Sequence, residues 1–283
     1  MIVIAACCFG SLTTATLLAT RAGLSLMNVI LWRFVLAAMV LFVMTTRARR
    51  THTFGKHALR LTLIGATAQA LISYLSFKAL DYLPVGILGF LFYTYPAWVA
   101  AISAATGREA LTRVRATALV LAMAGIAVMI ETPAAHSLNT TGICLALGTA
   151  FLYALYLPVL HSAQRQLPPL VSTFYLVSGI AITFLATGIA TQKLALPSTL
   201  AIWGYLLILS LVGTVAAFGS MIAGLRVLGP VRTSIISTVE PFFTAVLGAL
   251  VLAERLTVAT MAGGAMIASA VIFLERSSER ADA

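Results

Sequence analysis

Charge is what this sequence has least of. Only 9% of its 283 residues are Asp, Glu, Lys or Arg, and just 8 are acidic. A soluble globule has about a quarter of its residues charged, so this chain lacks the polar surface to cover itself in water. Cysteines number only three: Cys7, Cys8 and Cys144 each fall within an apolar run, an odd, buried set that makes neither a disulfide framework nor a metal site. There is no Walker A loop to hold ATP, and so no primary pump without a partner that brings the nucleotide. His52, His57, His136 and His161 are scattered over loops and span ends, without the spacing of a zinc protease. No carboxylates are arranged for glycoside hydrolysis. The sequence therefore gives no catalytic residues, no metal and no cofactor, and an intramembrane enzyme is a weak alternative. It also lacks a re-entrant, filter-like loop, which disfavours a channel. The opening MIVIAACCFG has no basic stretch ahead of its apolar run, which argues against a cleaved signal peptide.

What the chain has is hydrocarbon. Hydrophobic residues make up 61% of it, and the mean hydropathy is +1.04. It reads as an all-α integral membrane protein with ten apolar runs, each near the roughly 20 residues a helix needs to cross a bilayer. They are Met1–Ala19, Leu26–Thr46, Leu59–Leu80, Val85–Thr106 and Val114–Ile130, then Ile143–Leu160, Leu170–Thr191, Leu200–Leu225, Val231–Ala253 and Val258–Leu274. The fifth and tenth are only just long enough. The net charge of +10 would suggest a nucleic-acid partner in a soluble protein. Here the basic residues stand in short loops, where they set orientation and meet lipid headgroups, so no nucleic acid is expected. Arg47, Arg49, Arg50, Lys56, Arg60, Arg108, Arg113, Arg115, Arg165, Arg226, Arg232, Arg276 and Arg280 fall on one side. Only Arg21, Lys78, Lys193 and Arg255 fall on the other, which predicts that both termini are cytoplasmic.

The chain is also duplicated. A shift of 145 positions lays residues 79–112 on residues 224–257 without a gap. Leu80, Leu83, Pro96, Ala100, Ala104, Glu109, Leu111 and Thr112 then meet identical residues, with Pro241 answering Pro96 and Glu254 answering Glu109. The expected layout is a first repeat over 1–133, a linker over 134–141, a second repeat over 142–275 and a cytoplasmic tail over 276–283. Five spans is an odd number, so the second copy enters the membrane from the opposite face. The result is two inverted-topology five-helix repeats, an arrangement suited to alternating access.

The alanine-leucine pair, the proline within an apolar span, the glutamate-x-leucine-threonine that follows and the glycine-rich last span resemble the drug/metabolite transporter superfamily, and within it the EamA-type carriers. The WRFVLAA stretch around Arg33 is similar to the arginine-phenylalanine signature of that family's second span. The resemblance covers nearly the whole chain and singles out no substrate. It implies a multi-pass protein of the bacterial inner membrane, a cavity lined mainly by spans 1, 3, 4, 6, 8 and 9, and export of small metabolites such as amino acids. A monomer or homodimer fits equally. Two departures stand out: CCFGS replaces the family's tryptophan-glycine pair in the first span, and Tyr95 stands where the second repeat has Glu240. A flippase of a lipid-linked carrier is the main rival reading, and it calls for a lateral opening to lipid.

Glu240 is the first candidate site residue. A carboxylate near mid-bilayer must be neutral, paired or facing water, and such a group can carry a proton. It can equally serve the backbone groups freed by Pro241. Pro96 and Pro241 are expected to kink their spans at symmetric depths, as hinges or as edges of the substrate site. Arg33 reads as a structural anchor, and Glu109 and Glu254 as structural charges at span ends. For substrate, the candidates are Gln69 and Tyr74 in span three, Tyr95 and Trp98 beside Tyr93 in span four, and Tyr153 and Tyr156 in span six. Tyr153 and Tyr156 are three apart and share a face. Hydroxylated rings suit an amphipathic or cationic ligand, although tyrosine and tryptophan also fill cores and belt interfaces. Gln69, Ser73 and Ser76 give span three a polar stripe consistent with a wet cavity.

Overall fold

The computed structural model describes residues 1–48, 55–83, 85–107, 109, 111–129, 139–253 and 255–282. Glu254, Arg49, Arg50, Arg108 and residues 134–138 of the expected linker lie outside them. Among the described residues thirteen α-helices build the fold: α1 Ile2–Arg21, α2 Leu26–Arg47, α3 Lys56–Ile64, α4 Ala70–Ala79, α5 Val85–Phe92, α6 Tyr95–Ala105, α7 Arg113–Met129, α8 Thr140–Gln164, α9 Pro169–Ala190, α10 Leu200–Ser210, α11 Ala217–Ser237, α12 Glu240–Leu252 and α13 Val258–Asp282. They make ten transmembrane spans. The third is α3, a π-helical turn Gly65–Gln69 and α4, while the eighth runs through α10, a second π turn Leu211–Ala216 and the first part of α11. At Gly229 the backbone turns to φ 74° and ψ 171°, a left-handed region open to glycine, and there the 38-residue apolar run Leu200–Ser237 divides between spans eight and nine. The fifth span, α7, has 17 residues and rises about 26 Å, just short of a typical hydrocarbon core. The tenth does not stop near Leu274, since α13 continues as one helix to Asp282.

The packing carries the duplication. Span one lies against nine as six lies against four, two against eight as seven against three, and one against eight as six against three; two pairs with seven, and five with ten. This scheme is unchanged when every span is exchanged for its counterpart five places on. Such invariance is the signature of a two-fold axis in the membrane plane. The π turns obey it too: a shift of 145 places the first over residues 210–214, where the second begins.

Because lipid offers no hydrophobic drive for helices to associate, they hold together by close approach at small residues. A Cβ added at Gly65 would run into the backbone carbonyl of Leu176, and one at Gly179 into that of Thr62, so α3 and α9 cross backbone to backbone. Gly125 and Gly263 do the same for α7 and α13. Gly179→Ala is therefore expected to separate α3 from α9 and lower stability by about 1–3 kcal/mol. Thermal unfolding in detergent, compared with Gly148→Ala, where nothing lies within 4 Å, checks this.

Candidate functional site

The fourth and ninth spans are each interrupted. α5 ends at Phe92 and α6 begins at Tyr95; α11 ends at Ser237 and α12 begins at Glu240. The sequence leads one to expect Pro96 and Pro241 as kinks inside continuous helices. Instead each lies in the first turn of a new helix, where its missing N–H is not needed, and the break comes just before it. Thr94 and Thr238 hydroxyls take up the carbonyls of Leu91 (2.7 Å) and Ile235 (2.6 Å) at the two breaks. The Thr244 hydroxyl donates to the Glu240 carbonyl at 3.1 Å. Hydroxyls thus serve the backbone around the second break, and the Glu240 carboxylate has side-chain partners. The Tyr93 hydroxyl donates to it, and the Arg33 guanidinium lies within electrostatic range. Gly10 lets α1 approach this point, since a Cβ there would stand 3.3 Å from the Glu240 carbonyl.

Around the breaks the aromatic rings converge. Phe92 stands 5.3 Å from Tyr95 and 5.4 Å from Tyr153, centroid to centroid; Tyr95 meets Tyr153 edge-on at 4.8 Å, and Tyr156 follows at 5.5 Å from Tyr153. Tyr95 is hydrogen-bonded to Ser237 across the two halves, and the Tyr153 hydroxyl reaches the Met221 sulfur at 3.6 Å. The buried Tyr156 hydroxyl and the Gln69 Oε1 have no hydrogen-bond partner among the described residues. Glu240, Tyr153 and Phe92 are half-buried at this point.

Arg33 is placed by a π turn. In a π turn the hydrogen-bond register slips by one residue and a carbonyl is passed over. At the second π turn, the Ala217 N–H reaches Val212 and Thr214 and skips the Gly213 carbonyl. The Arg33 Nη2 donates to that carbonyl at 3.1 Å and its Nε to the Thr214 hydroxyl at 2.7 Å, while the guanidinium lies 4.7 Å over Phe34. In the first repeat the Ala70 N–H skips the Ala66 carbonyl, which accepts the Thr183 hydroxyl of α9 at 2.7 Å. Each repeat therefore answers the other's orphaned carbonyl, a pairing that nothing in the sequence announces.

The structure scatters the other expected residues. Tyr74 is 58% exposed on α4, and Trp98 is 41% exposed, packed edge-on against Phe151 at 5.6 Å; both lie apart from the ring cluster. Ser73 of the polar stripe donates to the Gln69 carbonyl at 2.9 Å, so its hydroxyl is not free to wet a cavity. Glu109 pairs with Arg115 at 3.1 Å and accepts the Val231 N–H at 3.4 Å, capping the start of the ninth span. That end of the bundle is further braced by Arg226, which donates to the Leu167 and Arg165 carbonyls, and by Arg232 on Glu275 at 3.4 Å. Phe92, Ser237 and Met221 join the cluster without having been singled out in the sequence. Among the described residues no group of His, Cys, Asp or Glu is placed to hold a metal ion.

The fold is shared with proteins of known structure. One crystal structure superposes with a TM-score of 0.81 over 95% of this chain and 94% of that one, at 17% identity, a likeness of fold alone. No curated protein matches the sequence. The model of the EamA-like transporter family matches twice, at residues 1–131 and 140–276, one match for each five-span half. With both halves matched and ten spans exchanged in pairs about one axis, the chain belongs to the EamA-like transporter family, a family of membrane transporters of small molecules.

Proposed function

We propose that the chain is a secondary transporter that exports a small amphipathic metabolite, amino acids first, across the bacterial inner membrane by alternating access. The observation that carries this reading is the Glu240 carboxylate at the junction of the two broken spans, hydrogen-bonded to Tyr93 and within electrostatic range of Tyr95 and Tyr153, whose rings continue into Phe92 and Tyr156. Aromatic faces attract a cationic ammonium, and the carboxylate neutralises it. The unpartnered Tyr156 hydroxyl and Gln69 Oε1 supply polar contacts for the rest of the ligand. When no ligand is bound, Glu240 takes a proton in its place, so proton entry and substrate exit alternate at one group. The test is transport of a panel of labelled amino acids by proteoliposomes, with and without a pH gradient; no gradient-dependent flux for any of them sinks the reading.

The paired substitution Tyr95→Ala with Tyr156→Ala is expected to change the order of preference within that panel by about tenfold, since each ring–cation contact contributes about 0.5–2 kcal/mol. An unchanged order assigns both rings to packing. The basic loops support an orientation with both termini in the cytoplasm. Gln192→Cys should then react with an impermeant maleimide from outside intact cells, and Arg226→Cys only after permeabilisation. The same side for both residues would mean that span eight does not cross, which breaks the five-span count on which the inverted arrangement rests.

A flippase of a lipid-linked carrier is the second reading, and a lateral crevice between α2, α4 and α9 speaks for it. Against it, the backbone crossing at Gly65 and Gly179 closes that crevice toward the other membrane face.

A further inference from the structure

The lateral crevice itself has the build of a lipid site. It measures about 850 Å³ and opens between α2, α4 and α9, above the first π turn. Below the turn α3 and α9 touch backbone to backbone; above it α4 leans away from α9. The inner wall is apolar: Leu26, Met27 and Ile30 of α2, Ala70 and Leu71 of α4, and Phe184 of α9. Four threonines also line it, yet they offer little polarity. The hydroxyls of Thr67, Thr183, Thr187 and Thr191 each donate to a backbone carbonyl at 2.7–2.8 Å. With those donors engaged, the wall suits an acyl chain.

The rim is polar and fixed. Lys78 and Asp81 stand there as an ion pair at 2.7 Å, each answering the other's charge. Lys193 has no acidic partner among the described residues, and its backbone is held in place. The Asn28 Nδ2 donates to the Lys193 carbonyl at 2.9 Å, the Ala195 N–H donates to the Asn28 Oδ1 at 3.0 Å, and the Trp32 indole donates to the Ala195 carbonyl at 2.9 Å. Trp32 also pairs with Trp203 at 6.0 Å. Tryptophans of this kind settle at the level of lipid headgroups, so the same level is marked for Lys193. A cation on an anchored backbone at headgroup height, above an apolar, chain-sized wall, is complementary to an anionic phospholipid.

We infer that the crevice between α2, α4 and α9 binds an anionic phospholipid, its headgroup on Lys193 and one acyl chain along Ile30, Leu71 and Phe184. The crossing at Gly65 and Gly179 ends the crevice within the membrane, so the lipid resides there and does not pass through. The site is independent of the substrate proposed for the Glu240 cluster.

The test reads lipid binding and not transport. The full chain bearing a photoreactive benzoylphenylalanine at position 71 is placed in nanodiscs of phosphatidylcholine with a minor fraction of phosphatidylglycerol, and the lipid attached after irradiation is identified by mass spectrometry. The glycerol lipid should be enriched roughly fivefold over its share in the disc, the contribution of one basic residue at a membrane surface. The same probe at position 250, on the lipid-facing side of α12, should show no enrichment. Lys193→Gln should abolish the preference and Lys193→Arg keep it, with both variants checked for an unchanged elution profile. Inorganic phosphate in the buffer should leave the labelling unaltered, whereas competition by it would mean a free-anion site. Equal labelling at positions 71 and 250, or a preference that survives Lys193→Gln, overturns the proposal.

Discussion

Glu240→Gln is expected to abolish the response of transport to a pH gradient. Glutamine keeps the size of the side chain and can still accept the Tyr93 hydroxyl, but it neither gains nor loses a proton. A carrier that uses Glu240 to return a proton would lose uphill accumulation. It would keep exchange of labelled for unlabelled substrate across the membrane, because exchange needs no net proton movement. Substrate affinity should fall by about ten- to a hundredfold, as a hydrogen bond to a charged group contributes about 1.5–3 kcal/mol. The check is a pair of assays on the same proteoliposomes, gradient-driven uptake and counterflow. Gradient-driven uptake that persists in the variant refutes proton carriage by Glu240.

Arg33→Met should produce the largest loss of stability. It leaves the Gly213 carbonyl without the donor that now reaches it and takes one donor from the Thr214 hydroxyl, which keeps its own bond to the Leu209 carbonyl. It also takes away a positive charge near the Glu240 carboxylate. Losing charged hydrogen bonds at an orphaned buried carbonyl costs about 3 kcal/mol, read as a lower thermal midpoint in detergent. Arg33→Lys keeps the charge but not the planar fork that spans the Thr214 hydroxyl and the Gly213 carbonyl together, and should recover only part of it. Glu240→Gln introduced alongside Arg33→Met should restore some stability, because the carboxylate no longer lacks a counter-charge. Strict additivity of the two changes would show that the residues do not couple.

Much of the architecture was legible in the sequence because it rests on quantities that add along the chain. Hydropathy summed over about twenty residues marks a span, and Pro96 with Pro241 at one offset marks the duplication. What escaped reading depends on local register. A π turn is a slip of a single hydrogen bond, and neither GATAQ nor LVGTVA announces it. Arg33 is legible as an anchor, while its partner, a carbonyl orphaned by a turn in the eighth span, is not. Tyr74 and Trp98 escaped for another reason. In a bilayer the outside of a helix is as apolar as the inside, so an aromatic residue gives no sign of which way it faces. Tyr153 and Tyr156 were better constrained, since their spacing of three puts them on one face wherever that face points.

The two slipped turns constrain the motion that the proposed alternating access requires. Each is tied at mid-depth to a helix of the opposite half, Gly213 to Arg33 and Ala66 to Thr183. Translation of one half past the other would sever both ties at once and strand the buried Gly213 carbonyl, at about 1–3 kcal/mol, together with the half-buried carbonyl of Ala66. Rotation through those points leaves both ties intact. The molecule is riveted like a pair of shears at two points, and the alternating access proposed above would pivot on them.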